Sequence, residues 1–399
     1  GTTTTVLEAT DPCWVEVVPG LPAWAPDGRV AHVVDDSGAR RIALDGTPLT
    51  PASLQVTAVL DVAAHGLLVT ATDEPTAQRL LHVGWDGALA DLSPADGRHS
   101  GVVGGDVLVR SSSALGRTGA LVVVERPGQA PHRVASHAEV PAVTPEVRLL
   151  TTGPHEVRTA VLLPSGHVPG SRRLPVLLSP YGGPHAQRVV QAGQAFLESQ
   201  WFADQGFAVV VADGRGTPAR GPDWERAVSG DLATAPLQDQ VDALAGVAEA
   251  FPDDVDTTRV GIRGWSFGGF LAALAVLRRP DVFHVAIAGA PVTDWRLYDT
   301  AYSERYLGHP DVAPEAYEAS SLLPDAASLS RPLMLVHGLA DDNVVVAHTL
   351  ALSGALLAAG RPHTVLPLTG VTHMTPQEHV AENLLRLQVD FLHRHLGGA

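Results

Sequence analysis

The stretch Val260 to Phe270 restricts the fold of this chain more than any other; it reads V-G-I-R-G-W-S-F-G-G-F. Val260 and Ile262 alternate with small or polar residues, as a short buried strand does, and Phe267 to Leu277 is apolar all round, as a buried helix is. Between them Ser266 sits in a G-x-S-x-G frame, Gly264-Trp265-Ser266-Phe267-Gly268. A strand that reverses into a helix within so few residues strains the serine backbone, and a Cβ at the flanking positions would collide with the turn. The hydroxyl is then held above the sheet edge, with the Phe267 N–H free to face an oxyanion. Glycine is abundant, 39 of 399 residues, so the bare pattern also fits a turn that merely packs a helix on a strand. The rest of the chain has to decide.

Lys+Arg 27 against Asp+Glu 43 leaves a net charge of −16, and no lysine occurs. An acidic chain without a basic run is a poor partner for nucleic acid or an anionic membrane surface. Cys13 is the only cysteine, which excludes an internal disulfide and a cysteine metal cluster and predicts a reducing, cytoplasmic setting. No apolar run approaches membrane-spanning length. Gly1 to Thr5 shows neither an initiator methionine nor a signal peptide, and reads as the start of a cut or processed chain.

From Trp14 to about Val140, short β-branched runs are broken by turn pairs. Asp45-Gly46, Asp86-Gly87 and Pro127-Gly128 recur 41 residues apart, the period of propeller blades, although a β-sandwich with accidental spacing has the same ingredients. Residues 1–140 hold three or four such blades, fewer than a closed propeller usually needs, so further blades are expected upstream. From Pro141 the pattern changes. Strands are predicted at Leu174 to Ser179, Phe207 to Ala212, Val260 to Gly264, Val285 to Ala288, Pro332 to His337 and Thr364 to Leu368. Helices alternate with them at Gln194 to Gln205, Leu237 to Phe251, Phe267 to Leu277, Val345 to Ala359 and Pro376 to His395, the last announced by a Thr375-x-x-Glu378 capping box. This alternation predicts an α/β domain over 141–399, with a parallel sheet covered on both faces and functional groups at the carboxyl ends of its strands.

A serine hydroxyl needs a base, and the base needs a carboxylate to hold its tautomer. Both should follow Ser266, acid first, each just after a strand. Asp341 and His373 stand at those places. Asp342 is an alternative acid, and either aspartate could be a capping residue ahead of Val344. His379 falls inside the last predicted helix and reads as a surface residue.

The stretches GWSFGG at Gly264, HGLADDNV at His337, YGGP at Tyr181, DGRGTPARG at Asp213 and LYDTAYSERYLG at Leu297 together resemble the prolyl oligopeptidase family of serine peptidases, and within it the dipeptidyl peptidase IV-like branch. The resemblance implies an α/β-hydrolase domain preceded by part of a β-propeller. It implies Ser266 as nucleophile, Asp341 as acid and His373 as base, with Tyr181 joining the Phe267 N–H as oxyanion donor. It implies a proline-sized pocket from Val292, Trp295, Tyr298 and Tyr302, with Phe267 as a further wall and Asn343 on a substrate carbonyl. Arg305 is left structural.

No metal or organic cofactor is implied, the expected partner is a short peptide, and a homodimer and a separate propeller segment are further expectations of the resemblance. Two departures stand out. Phe267 replaces the tyrosine common after the nucleophile, and Met374 the glycine common after the base. The paired glutamates that grip a substrate's amino terminus in dipeptidyl peptidases have no counterpart, since no Glu-Glu pair occurs in these residues. The sequence therefore predicts a serine exopeptidase acting after proline or a small residue near the amino terminus. A tripeptidyl or longer aminopeptidase, an acylaminoacyl peptidase or esterase, and a non-catalytic binding module stay open beside it.

Overall fold

The computed structural model describes residues 1–94 and 96–397. Three four-stranded antiparallel sheets come first, spanning 23–48, 55–91 and 98–133, each with its strands in sequence order. Asp45-Gly46, Asp86-Gly87 and Pro127-Gly128 each join the third strand of their sheet to the fourth, so the 41-residue period is the blade repeat. Among the described residues three blades are present, where three or four were expected. Ile42, Leu44, Val56, Leu67, Val69 and Leu81 form a core shared by the first two.

Eight strands make the second part: β1 (Arg148–Thr152), β2 (Val157–Leu162), β3 (Leu174–Leu178), β4 (Ala208–Asp213), β5 (Val255–Trp265), β6 (Val285–Gly289), β7 (Leu333–Gly338) and β8 (Thr364–Leu368). Their order is β1-β2-β4-β3-β5-β6-β7-β8. The six from β3 to β8 are parallel, as predicted. The antiparallel hairpin β1–β2, which extends the sheet beside β4, was not read from the sequence. β3, β4, β6 and β7 are buried along their whole length, which is why they read as unbroken apolar runs.

Side chains alternate across the sheet. Val176 and Leu178 pack with α2 (Thr234–Ala250) and α3 (Phe267–Arg278), whereas Leu177, Val209 and Val211 meet α1 (Leu197–Asp204) and the last helix on the other face. That last helix runs Glu378–Leu396 and begins two residues later than predicted. Its N-cap is Gln377, with no side-chain cap bond, so the capping box at Thr375 does not form. The chain ahead of it stays uncoiled because His373 is tied at both its ring and its carbonyl. No described helix is long and apolar enough to cross a membrane.

Polar pairs join blades to sheet. Arg40 in the first blade donates twice to Glu225 at 2.8 and 3.0 Å, both side chains nearly enclosed, and Arg158 on β2 donates twice to Glu74 of the second blade at 2.9 Å.

Candidate active site

β5 ends at Trp265 and α3 begins at Phe267, so Ser266 alone makes the turn, with φ 60° and ψ −120°. A non-glycine residue in that region is strained and persists only where its surroundings impose it. Here they do. A Cβ on Gly264 would run into the carbonyl of Gly268, and one on Gly268 would lie 2.5 Å from the Pro180 oxygen, so strand, helix and the end of β3 close on one another. The Ser266 N–H is fixed on the Gly289 carbonyl at 2.9 Å. As the first residue of α3, Phe267 has an N–H with no intrahelical acceptor, and it is available to an anion.

The structure places the two aspartates differently. Asp341 is buried beyond β7, and its Oδ2 lies 2.8 Å from His373 Nδ1. Its Oδ1 accepts from the Asn343 and Val344 N–H groups at 3.0 and 2.9 Å, which locks the carboxylate. Asp342 is exposed, and His379 lies exposed in the last helix's first turn. Among the described residues Ser266 Oγ and His373 make no hydrogen bond with each other, so the Asp341–His373 pair is assembled while the imidazole is not engaged on the serine. Behind Asp341 stands His337, buried, with Nε2 2.7 Å from the Val344 carbonyl and Nδ1 2.7 Å from Thr349 Oγ1; burial lowers its pKa and keeps it neutral.

Tyr181 follows β3. Burial raises its pKa to about 12, so the phenol stays a neutral donor. The loop after it is pinned by Asp213 at the end of β4, whose carboxylate accepts from the Arg188 and Val189 N–H groups.

Trp295, Tyr298 and Tyr302 come together. Trp295 and Tyr302 are nearly parallel at 5.6 Å, and Tyr298 stands at right angles to both. Phe267 meets Trp295 at 5.9 Å and Tyr181 at 5.9 Å, so the aromatic wall runs up to the turn at Ser266. Val292 is buried in the same cluster. The Tyr298 hydroxyl donates to Asn343 Oδ1 at 3.1 Å, leaving that amide's NH₂ free to donate. The Tyr302 hydroxyl is buried with no partner among the described residues.

Several contributors escaped the sequence reading. Trp265 donates its indole N–H to the His373 carbonyl at 2.8 Å. His348, fully buried, accepts the Thr293 N–H at 3.1 Å, and its own carbonyl accepts from Thr293 Oγ1, so it ties the loop bearing Val292 and Trp295 to the helix Ala347–Ala358. His185 packs on Tyr302 and accepts or donates to the Tyr306 hydroxyl at 2.8 Å. It also borders a cavity of about 390 Å³ between blade and sheet, where Glu16, Arg40, Glu225 and Tyr306 meet. Single histidines and glutamates among so many carry no sequence signal; only the fold collects them.

The family model described as the prolyl oligopeptidase family matches residues 194–399, just over half of the chain. The chain belongs to the prolyl oligopeptidase family. Within this family it is similar to dipeptidyl peptidase 8 of mouse and of human, each 42% identical over 197 residues, which cover 48% of this chain and 22% of the relative. The probable dipeptidyl-aminopeptidase B of Aspergillus clavatus is 39% identical over 194 residues, again 48% of this chain and 21% of the relative. The crystal structure of Porphyromonas gingivalis dipeptidyl peptidase 4 superposes with a TM-score of 0.85 at 27% identity, over 94% of this chain and 55% of its own. The matches thus span about a fifth of these curated relatives and just over half of the solved one. An α/β-hydrolase domain preceded by propeller blades is the shared fold.

Proposed function

We propose that this chain is the catalytic part of a serine exopeptidase that removes short amino-terminal pieces from peptides, cutting after proline or a small residue, in the manner the names of its relatives indicate. The observation that carries the proposal is the buried Asp341 carboxylate, held by two backbone N–H groups and bonded to His373 Nδ1, beside a serine forced into a strained turn. In this reading Ser266 Oγ attacks the substrate carbonyl while His373 Nε2 takes its proton. The Phe267 N–H and the Tyr181 hydroxyl receive the oxyanion. His373 then returns the proton to the leaving amine, and water, activated by the same histidine, hydrolyses the acyl-enzyme.

The aromatic wall of Trp295, Tyr298 and Tyr302 suits a flat pyrrolidine ring, and Asn343 offers its amide to the carbonyl one residue toward the amino terminus. The adjoining cavity has room for that residue, and Glu16, whose Oε2 lies 3.3 Å from Arg305, is a carboxylate able to meet an ammonium. The boundary between blades and hydrolase domain near residue 141, a homodimer, further blades outside residues 1–399 and a cytoplasmic setting belong to the same proposal. The boundary, the further blades and the setting are supported by the three blades observed, the greater length of the relatives and the lone Cys13, and the homodimer by the family resemblance alone.

Rates on Gly-Pro-, Ala-Ala-Pro- and acetyl-Ala-nitroanilide test it, each with and without Ser266→Ala. Serine-dependent release fastest from Gly-Pro is expected. Preference for the second or third substrate assigns a longer aminopeptidase or an acylaminoacyl peptidase, and a folded protein that releases nothing and resists a fluorophosphonate contradicts the enzyme.

A further inference from the structure

Trp265 occupies the position immediately before the nucleophile, and its side chain reaches across to the loop that carries the base. Its indole N–H donates to the main-chain carbonyl of His373 at 2.8 Å, with the ring edge-on to the imidazole at 6.5 Å. The ring lies flat over Gly289, where any Cβ would overlap the ring carbons. The same glycine accepts the Ser266 N–H at 2.9 Å. Nucleophile and indole are thus referenced to one backbone position.

The loop 369–377 needs such a tether. Among the described residues its hydrogen bonds are few: Ala340 N–H to the Val371 carbonyl, Gln377 to the helix that follows, the imidazole on Asp341, and the indole on His373. Only the last holds the backbone of His373 itself. Without it, the backbone beneath the imidazole is free to drift, which loosens the ring on Asp341 and its presentation to Ser266 when substrate is bound.

We propose that Trp265 is a positioning residue that sets the general base against the nucleophile, acting through the His373 carbonyl. The inference rests on the reading of His373 as the base of Ser266. Phe267 and Asn343 apart, the proposed pocket side chains lie on other elements, the loop after β6 and the helix Thr300–Leu307, so the loss falls chiefly on turnover. A base displaced by about 1 Å costs on the order of 10²-fold in rate.

The test is Trp265→Phe in the full protein, which keeps a flat ring on Gly289 and removes the N–H. We expect kcat on Gly-Pro-nitroanilide to fall ~10- to 100-fold with KM within about twofold, and the downfield NMR resonance of the His373 Nδ1 proton to broaden or vanish. Unchanged kcat with an unchanged resonance overturns the proposal. Should the variant not fold, the unaltered protein serves: a Trp265 indole proton protected from solvent exchange supports the tether, and one that exchanges freely overturns it. A wild-type protein without serine-dependent activity, in which Trp265→Phe still disturbs the resonance, defeats the peptidase reading and leaves the tether standing.

Discussion

Each proposed catalytic group is defined by what immobilises it, and substitutions should separate those roles. Tyr181→Phe removes one oxyanion donor without disturbing the ring contact to Phe267, so kcat should drop about 10²- to 10³-fold with KM little changed; steady-state kinetics on Gly-Pro-nitroanilide check it, and an unaltered kcat removes Tyr181 from the site. His348 gives a pH signature in stability. Burial depresses its pKa from 6.5 to about 4, so between those values the unfolded chain binds the proton and the native protein does not. Stability should therefore fall as pH drops through this window, by roughly 3 kcal/mol from this group. Urea midpoints at several pH values should show a shallower acid loss in His348→Gln than in the wild type. An identical slope would assign the acid loss to other groups. Of the site's geometry, the strained turn at Ser266 and the Asp341–His373 pair, the proposed triad, were legible because the three residues each follow a strand in a set order. Trp265 and His348 were not, because a tryptophan in G-x-S-x-G and a histidine in an apolar helix acquire their meaning only from partners 108 and 55 positions away.

At the scale of the element, the turn at Ser266 was legible as a strand–turn–helix because its glycines admit no side chain, and the structure supplies the colliding atoms. Gly264→Ala should cost several kcal/mol, since its new methyl meets the backbone of Gly268 and no side chain can give way. Chemical denaturation measures this, and a stable, active alanine variant would contradict the described packing. The parallel strands were legible for a related reason: burial on both faces leaves only apolar residues to choose from. The hairpin β1–β2 was missed because its first strand is half exposed and has no such run. The capping box at Thr375 failed where two tethers on His373 overrode a local preference.

For the whole molecule, the first two blades are joined to the hydrolase domain by arginine–carboxylate pairs whose residues stand 185 and 84 positions apart, beyond the reach of any local pattern. The Arg40–Glu225 pair is nearly enclosed, so Arg40→Met, which strands Glu225, should destabilise by about 3–5 kcal/mol; a urea titration followed by tryptophan fluorescence reads it, and a loss below 1 kcal/mol would show the pair to be solvated. Glu16 borders the cavity beside that pair, and Glu16→Gln should raise KM for Gly-Pro-nitroanilide about tenfold or more while sparing acetyl-Ala-nitroanilide, a loss expected of a charge-assisted bond to an ammonium. The most direct test of the central claim is the rate of Gly-Pro-nitroanilide hydrolysis by the protein with and without Ser266→Ala. Release that falls by about 10⁴-fold or more in a variant that remains folded is the predicted result; release that persists, or that is absent from both folded proteins, would contradict it.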